Sequence, residues 1–188
     1  ITPYFLKPSD EDLYAHYKAV AESVSIPIML YNIPKATGCP LSPQLVDRLA
    51  DIENIKGIKD SSGEAERLQA YAQIAKEKDL QLLIGSDSKI SYGYGLGAKG
   101  AVAGTSNVIV DTLVGLDKAL KEGNEEKAKK LQNDIDVLRG VLPLGTVPSV
   151  MKGAVELAGI AEVGPARRPV RELSAEDDEK IKEMLHYY

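Results

Sequence analysis

The sequence predicts an α/β protein built on a parallel sheet. Over roughly the first hundred residues, short apolar runs bounded by glycine and proline alternate with segments of helical periodicity, which is the pattern of repeated βα units. Beyond this stretch only helical patterns remain. No linker or low-complexity segment divides the chain, so we expect a single domain, with βα units over residues 1–108 and helices packed on them over residues 109–188.

Capping residues and apolar periodicity place the helices. Ser9 is a suitable N-cap for the first helix, and the acidic residues that follow it favour the positive end of a helix dipole. Ser42 followed by Pro43 marks the start of the next helix. The predicted helices span about residues 9–25, 42–51, 64–78, 88–97, 110–122, 124–139, 146–159 and 174–186.

The predicted strands are four short apolar runs, at residues 26–32, 54–60, 80–84 and 100–103, and each ends in polar residues. Ligands of parallel βα folds bind at the carboxyl ends of the strands, because loops and helix N-termini converge there. We therefore expect the four strand ends to share one site. Its polar residues are Tyr31-Asn32, Lys59-Asp60-Ser61, Gly85-Ser86-Asp87 and Thr105-Ser106-Asn107.

The composition argues against several classes of function. Lys and Arg number 23 against 28 Asp and Glu, and this net charge of −5 disfavours binding to nucleic acid or to an anionic membrane surface. No window approaches the roughly 18 consecutive apolar residues of a membrane span. The single cysteine, Cys39, fits a reducing compartment, and the two histidines lack metal-ligand spacing. We expect a cytoplasmic protein without a metal site.

Lys59 is the candidate nucleophile. Strand side chains alternate between faces, so Ile55, Gly57 and Lys59 share one face of the second strand. If that face points into a barrel, Gly57 leaves space beneath the amine, and desolvation there favours the neutral form that attacks carbonyl carbon. The alternative is a lysine that reaches solvent from the strand end. Spacing does not decide between the two.

Tyr31 and Asp87 are further candidates with two interpretations each. The Tyr31 phenol could transfer a proton to or from a reacting oxygen, or it could be a core tyrosine whose hydroxyl is satisfied at the rim. Asp87 could accept hydrogen bonds from a hydroxylated substrate, or it could cap the following helix.

Four motifs follow one another along the chain: Tyr31-Asn32-Ile33-Pro34, Gly57-Ile58-Lys59-Asp60, Gly85-Ser86-Asp87 and Gly97-Ala98-Lys99-Gly100-Ala101. Their order and spacing resemble the dihydrodipicolinate synthase and N-acetylneuraminate lyase family of class I pyruvate-dependent aldolases. The resemblance extends over essentially the whole chain. One such motif would be weak evidence, whereas the ordered set is specific.

This resemblance implies a (β/α)8 TIM barrel that forms a Schiff base with pyruvate and uses no metal or organic cofactor. By motif match, Lys59 would be the imine-forming lysine, and Tyr31 the phenol that orients substrate and relays protons. The backbone around Val102 would contact pyruvate, whereas Gly85 and Asp87 lie where sugar-acid lyases of the family hold the aldehyde. The family resemblance also implies a homotetramer built from dimers.

Three departures from the family pattern bear on the substrate. Ala36 stands where dihydrodipicolinate synthases usually carry an arginine that pairs with a substrate carboxylate. Tyr4-Phe5 replaces a tyrosine pair, which removes one hydroxyl of the proton relay. The Gly-Thr-Thr-Gly loop that holds the pyruvate carboxylate does not occur in the sequence. The first two departures favour an aldolase for 2-keto-3-deoxy sugar acids or 4-hydroxy-2-oxoglutarate, although Phe5 is awkward for either reading.

We therefore expect a lyase that forms or cleaves a 2-keto acid from pyruvate and an aldehyde. One alternative is dihydrodipicolinate synthase, which condenses pyruvate with aspartate semialdehyde. An alternative of another class is a non-catalytic half-barrel, either a fragment or a subunit. It is motivated by the absence of the carboxylate-holding loop and by an open sheet with two unpaired edges, which natural proteins avoid. A complete barrel of this type has eight strands and about 250 residues or more, so with four predicted strands we expect the chain to cover the C-terminal half of the barrel and its C-terminal helices.

Overall fold

The computed structural model describes all 188 residues, Ile1–Tyr188. Strands and helices alternate as far as the fourth strand, and helices alone follow. The elements are α1 (Asp10–Glu22), β1 (Ile28–Asn32), α2 (Pro34–Thr37), α3 (Pro43–Leu49), β2 (Ile55–Asp60), α4 (Ala65–Glu77), β3 (Gln81–Ile84), α5 (Ile90–Gly95), β4 (Gly100–Ala101), α6 (Val110–Lys121), α7 (Glu125–Arg139), α8 (Val147–Leu157) and α9 (Ala175–Leu185).

The four strands form one parallel sheet in the order β1-β2-β3-β4. Each strand therefore pairs with the next strand of the chain, and helices make the crossovers, as repeated βα units require. The register sets Tyr31 opposite Lys59 and Asn32 opposite Asp60. The predicted α/β class with a parallel sheet is confirmed.

Local sequence explains where the helices begin. Ser9 and Asp12 form a capping box at the start of α1, and Ser42 accepts a hydrogen bond from the backbone N–H of Leu45 ahead of α3. The sequence did not predict α2, a single turn that begins at a proline and ends at Gly38 in the left-handed region (φ 65°). The strands β1 and β4 are each two residues shorter than expected.

The chain comprises two compact units, Ile1–Val102 and Ala103–Tyr188. The first unit contains the whole sheet, and the second contains α6 to α9. The expected single domain, with βα units over residues 1–108 and helices over 109–188, stays a prediction. No helix in either unit combines the length and apolar character needed to cross a membrane.

The two faces of the sheet in the first unit differ in burial. Leu30, Ile58 and Leu82 lie in one row across the strands and are at most 2% exposed, so they form the core on the helix-covered face. On the other face Met29 is 40% exposed, and Tyr31 and Lys59 are half-buried. The second face is therefore the accessible one, and it carries the candidate nucleophile.

In the second unit, α7 carries a buried carboxylate that holds the C-terminal residues. Asp134 accepts hydrogen bonds from the Lys130 ammonium at 2.8 Å and the Tyr187 hydroxyl at 2.7 Å. The Tyr188 hydroxyl donates to the Asp134 carbonyl and accepts from the Leu138 N–H at 3.2 Å. These bonds fix the end of the chain on α7.

Candidate active site

Lys59 and Tyr31 lie side by side near the carboxyl ends of β2 and β1. They are register partners, and paired residues of parallel strands point to the same face. The Lys59 Nζ atom lies 4.1 Å from the centroid of the Tyr31 ring, which is a cation–π geometry. The sheet therefore brings the two sequence-predicted catalytic candidates into direct contact.

Gly85, the residue after β3, lies against the stem of Lys59. Its N–H donates to the Asp60 carbonyl at 2.7 Å, which fixes it at the end of β2. A Cβ atom at this position would come within 2.6 Å of Lys59 Cε and would overlap the Ser61 hydroxyl. Only glycine leaves room for the lysine in its present position, so the third predicted site residue also belongs to this cluster.

Ser61 also belongs to the cluster; the sequence placed it among the polar strand-end residues but gave it no individual role. Its N–H donates to the Asn32 carbonyl at 2.8 Å, and its hydroxyl donates to the Tyr31 hydroxyl at 3.5 Å. The available signal was its place two residues after Lys59, which puts it on the lysine's face if the strand geometry continues.

The space beneath the lysine differs from the expectation. Gly57 was expected to leave that space open, but the Met29 side chain occupies it. A Cβ atom on Gly57 would lie 2.7 Å from both Met29 Sδ and Met29 Cε, and 2.5 Å from the Gln81 carbonyl. The glycine is thus explained by a thioether and a neighbouring strand that approach it closely.

Val102 and Asp87 follow the ends of β4 and β3. The Val102 N–H donates to the Ile84 carbonyl at 2.8 Å, and its side chain is 52% exposed. Asp87 is 6% exposed and lies inside a one-turn 3-10 helix whose N-cap is Ser86, so Asp87 is not at the N-cap. Both lie at the carboxyl ends of the strands, as Lys59 does. Their contacts with substrate remain predictions.

No group of three or more His, Cys, Asp and Glu side chains is arranged to hold a metal ion. Cys39 is buried and makes no disulfide. The chemical groups gathered at the carboxyl ends of the strands are the Lys59 amine, the Tyr31 phenol and the Ser61 hydroxyl. These groups suit addition to a carbonyl followed by proton transfer.

The comparisons with known proteins agree on one family. The model of the "Dihydrodipicolinate synthetase family" matches residues 1–187. A 4-hydroxy-tetrahydrodipicolinate synthase from Archaeoglobus fulgidus is 41% identical over 185 residues, which are 98% of this chain and 63% of that protein. The chain thus spans about 63% of the length of this curated relative.

Two solved structures extend the likeness to three dimensions. YagE, a prophage protein of the dihydrodipicolinic acid synthase family from E. coli in complex with pyruvate, gives a TM-score of 0.92 at 31% identity over 98% of this chain and 63% of that one. A dihydrodipicolinate synthase from Thermotoga maritima gives 0.93 at 30% identity over 99% and 64%.

These neighbours are TIM barrels, so the predicted fold family is confirmed, with four strands of such a barrel present here. The family match covers nearly every residue, and the motifs around Tyr31 and Lys59 that suggested it meet in space. On sequence and structure together, this chain belongs to the dihydrodipicolinate synthetase family.

Proposed function

We propose that the chain carries the pyruvate-binding Schiff-base centre of an aldolase, with Lys59 as the imine-forming lysine. The observation that carries the proposal is the contact of the Lys59 amine with the Tyr31 ring, 4.1 Å from its centroid, at adjacent strand ends. Family membership supports it, because a relative of the same fold is described in complex with pyruvate.

Lys59 supplies the nucleophile in the proposed reaction. Its neutral amine adds to the ketone carbon of pyruvate, and the resulting carbinolamine takes up a proton and loses water to give a protonated imine. The imine withdraws electrons, so a methyl proton leaves and an enamine forms. The enamine carbon attacks the aldehyde carbon and forms the new C–C bond, and water then releases the product and restores the lysine.

Tyr31 serves as the proton carrier in this scheme. Loss of water and protonation of the new alkoxide both need a group that exchanges protons within hydrogen-bond reach of the reacting oxygen. The Tyr31 ring lies against the amine, and the Ser61 hydroxyl donates to the Tyr31 hydroxyl at 3.5 Å. The backbone at Val102 is proposed to contact pyruvate, and Gly85 and Asp87 to lie on the aldehyde side.

The acceptor aldehyde is the finer part of the proposal. The relatives favour aspartate semialdehyde, since the Archaeoglobus protein is named 4-hydroxy-tetrahydrodipicolinate synthase and the Thermotoga structure is named dihydrodipicolinate synthase. Ala36 and Phe5 favour the sugar-acid or 4-hydroxy-2-oxoglutarate aldolase that sequence reasoning placed first. We propose aspartate semialdehyde as the first acceptor to test, because two relatives across the whole chain carry that activity in their names.

Borohydride trapping tests the centre itself. The full-length protein, reduced in the presence of pyruvate, should carry a covalent adduct on the peptide that contains Lys59. Lys59→Ala should carry none, and Lys56→Ala, which removes a lysine from the opposite face of the same strand, should trap pyruvate like the wild type. An unmodified Lys59 in the wild-type protein would instead favour the non-catalytic alternative.

Turnover measurements identify the acceptor. Pyruvate is held constant while aspartate semialdehyde, glyceraldehyde and glyoxylate are compared by kcat/KM. A clear preference for aspartate semialdehyde supports the synthase, and a preference for either other aldehyde restores the interpretation that the sequence placed first.

Assembly and compartment are also proposals. We propose a cytoplasmic homotetramer, on the resemblance to the family and on a single buried cysteine that forms no disulfide. Sedimentation equilibrium of the full-length protein measures the assembly, and a monomer at micromolar concentration would contradict it.

A further inference from the structure

The helix-covered side of β1 and β2 carries a buried hydrogen bond between the two strand ends. The Asn32 amide donates to Asp60 Oδ1 at 2.7 Å, and Asn32 Oδ1 accepts from the Leu41 N–H at 3.0 Å. Asn32 is fully buried and Asp60 is 2% exposed. Neither side chain faces the lysine, since both alternate to the opposite face of the sheet from Tyr31 and Lys59.

Asp60 is held on its other side by the loop that leaves β2. Its Oδ1 also accepts from the Ser62 N–H at 3.2 Å, and its Oδ2 accepts from the Ser62 hydroxyl at 2.8 Å. The Ser62 oxygen accepts in turn from the Glu64 N–H at 3.2 Å. Three donors thus satisfy a carboxylate that would be costly to bury alone.

The hydrogen bonds close into a ring through α4. The Glu64 carboxylate accepts from Arg67 Nε at 2.9 Å, and Arg67 Nη1 donates to the Leu41 carbonyl at 3.0 Å. Leu41 then donates its N–H to Asn32, which completes the circuit. The Glu64–Arg67 pair of this circuit is exposed to solvent, whereas the bonds that join Asn32, Asp60 and Ser62 are buried. The buried part resists displacement, because a shift there leaves a polar group without a partner.

This ring meets the sheet one register position beyond the proposed catalytic pair. Tyr31 pairs with Lys59, and the next pair is Asn32 with Asp60, the last residues of their strands. The Asn32–Asp60 bond therefore adds a side-chain crosslink at the point where the backbone ladder ends. A shift of one strand end against the other would move the Tyr31 ring relative to the Lys59 amine.

We propose that Asn32 and Asp60 are positioning residues, whose mutual hydrogen bond holds Tyr31 and Lys59 in the geometry needed for imine formation. The inference rests on the proposed Schiff-base function. Neither residue touches substrate in this scheme. A displacement of about 1 Å in a reacting group can reduce a rate by up to about 100-fold. Loss of the Asn32–Asp60 bond should therefore produce a measurable fall in the rate of imine formation.

The test measures the rate of pyruvate adduct formation on Lys59 by timed borohydride quenching of the full-length protein. Asn32→Ala and Asp60→Ala should each slow the adduct by about tenfold or more, and the double variant should be no slower than the worse single one, because the two residues act as a unit. The dissociation constant for pyruvate, from the concentration dependence, should change much less than the rate.

Two further variants separate positioning from general loss of stability. Asp60→Asn keeps an acceptor oxygen for the Asn32 amide, so its rate should stay within about threefold of wild type. Asn54→Ala removes an asparagine that bonds the Ala21 and Val24 carbonyls at the other end of the same strands. It should lower the thermal unfolding midpoint but leave the adduct rate unchanged. If Asn32→Ala does not fold, Asn32→Leu, which fills a similar volume without a donor, replaces it.

The outcomes distinguish the two proposals. Wild-type protein that traps no pyruvate overturns the Schiff-base function and this inference with it. Wild-type trapping combined with unchanged rates in Asn32→Ala and Asp60→Ala overturns the positioning role alone. The positioning role is also overturned if Asn54→Ala, at the same loss of stability, slows adduct formation as much as Asn32→Ala or Asp60→Ala does. The rate would then depend on overall stability and not on the Asn32–Asp60 hydrogen bond. A rate in Asp60→Asn as low as in Asp60→Ala would assign the effect to charge and contradict the hydrogen-bond role.

Discussion

A long, flexible lysine acts as a nucleophile when its stem is held in place. Here the absence of a side chain at Gly85 leaves the space that the Lys59 stem occupies. Gly85 lies against Lys59 Cε, and the Tyr31 ring lies against the amine. The lysine thus has a glycine on one side and an aromatic ring on the other. Small changes at these two positions should act on chemistry before they act on folding.

Gly85→Ala is the sharpest test of this arrangement. The added methyl group would lie 2.6 Å from Lys59 Cε and would overlap the Ser61 hydroxyl, so both side chains must move. We expect adduct formation with pyruvate to slow by about tenfold or more. The matched control is Gly95→Ala in α5, where a Cβ meets nothing within 4 Å. That variant should trap pyruvate normally, and equal slowing in both would contradict the steric explanation.

Tyr17→Phe is expected to stabilise the protein. Its side chain is 4% exposed, its hydroxyl has no hydrogen-bond partner, and burial together with nearby Cys39 raises the pKa of Tyr17 to about 12. Tyr17→Phe removes the unsatisfied group, so we expect a gain of about 1–2 kcal/mol in unfolding free energy at neutral pH.

Tyr71→Phe is the opposite case, because the Tyr71 hydroxyl donates to the Leu41 carbonyl at 2.5 Å. Loss of this hydrogen bond should lower the unfolding free energy.

The effect of Tyr17→Phe on the unfolding free energy should depend on pH. An elevated folded-state pKa means that the neutral phenol contributes stability below about pH 10, and that this contribution is lost as the pH rises toward 12. Phenylalanine cannot ionise, so the advantage of Tyr17→Phe should grow above pH 10. Urea unfolding at pH 8 and at pH 10.5 measures it, and a constant difference would show that Tyr17 ionises as freely in the folded state as in the unfolded one.

At the scale of elements, α7 and the end of the chain depend on one carboxylate. Burial alone would raise the pKa of Asp134, but the hydrogen bonds from Lys130 and Tyr187 lower it. A lowered pKa means that the carboxylate contributes stability above about pH 4, and that the contribution is lost as the pH falls through the folded-state pKa. Acid should therefore weaken the attachment of the last residues to α7.

Asp134→Asn tests that link. The amide keeps one acceptor but loses the charge, so we expect a loss of about 1–2 kcal/mol at pH 7, reduced by the exposure of Lys130. The difference from wild type should shrink below pH 4. Asp136→Asn, in the same helix with a half-exposed carboxylate, should change stability by less than about 0.5 kcal/mol. A difference that persists at pH 3 would contradict the charge-based account.

For the whole molecule, sequence patterns predicted the parts that follow from periodicity. Alternation along the strands and caps such as Ser9 and Ser42 predicted the order of elements, and the parallel sheet then brought Tyr31 beside Lys59. The four residues of α2 are too few to show a helical period, so that turn was missed.

Contacts between distant side chains could not be predicted in the same way. Gly57 indicated a close approach on one face of the sheet, but a glycine does not reveal whether a substrate or the Met29 thioether fills the space. Asn32 and Asp60 were recognised as polar strand ends, but their mutual bond depends on register and on the loop at Leu41. Such pairings are set by the packed fold and leave no periodic signal.

One exposed position that sequence reasoning identified bears on the proposed acceptor. Ala36 lies on α2 immediately after β1, and it stands where the resemblance places an arginine that binds a substrate carboxylate. Because Ala36 is exposed, a longer side chain fits there without repacking. If the protein uses aspartate semialdehyde, it does so without this contact, and restoring the contact should improve it. A bidentate pair with a carboxylate contributes about 1.5–3 kcal/mol.

We therefore expect Ala36→Arg to raise kcat/KM for aspartate semialdehyde by about tenfold or more, and to leave that for glyceraldehyde within about twofold. Ala36→Gln adds length without charge and should change neither value. Steady-state turnover of the full-length variants measures both aldehydes against the same pyruvate concentration. An increase for both aldehydes, or for neither, would show that α2 does not approach the acceptor carboxylate, and the acceptor would then be selected by residues at other strand ends.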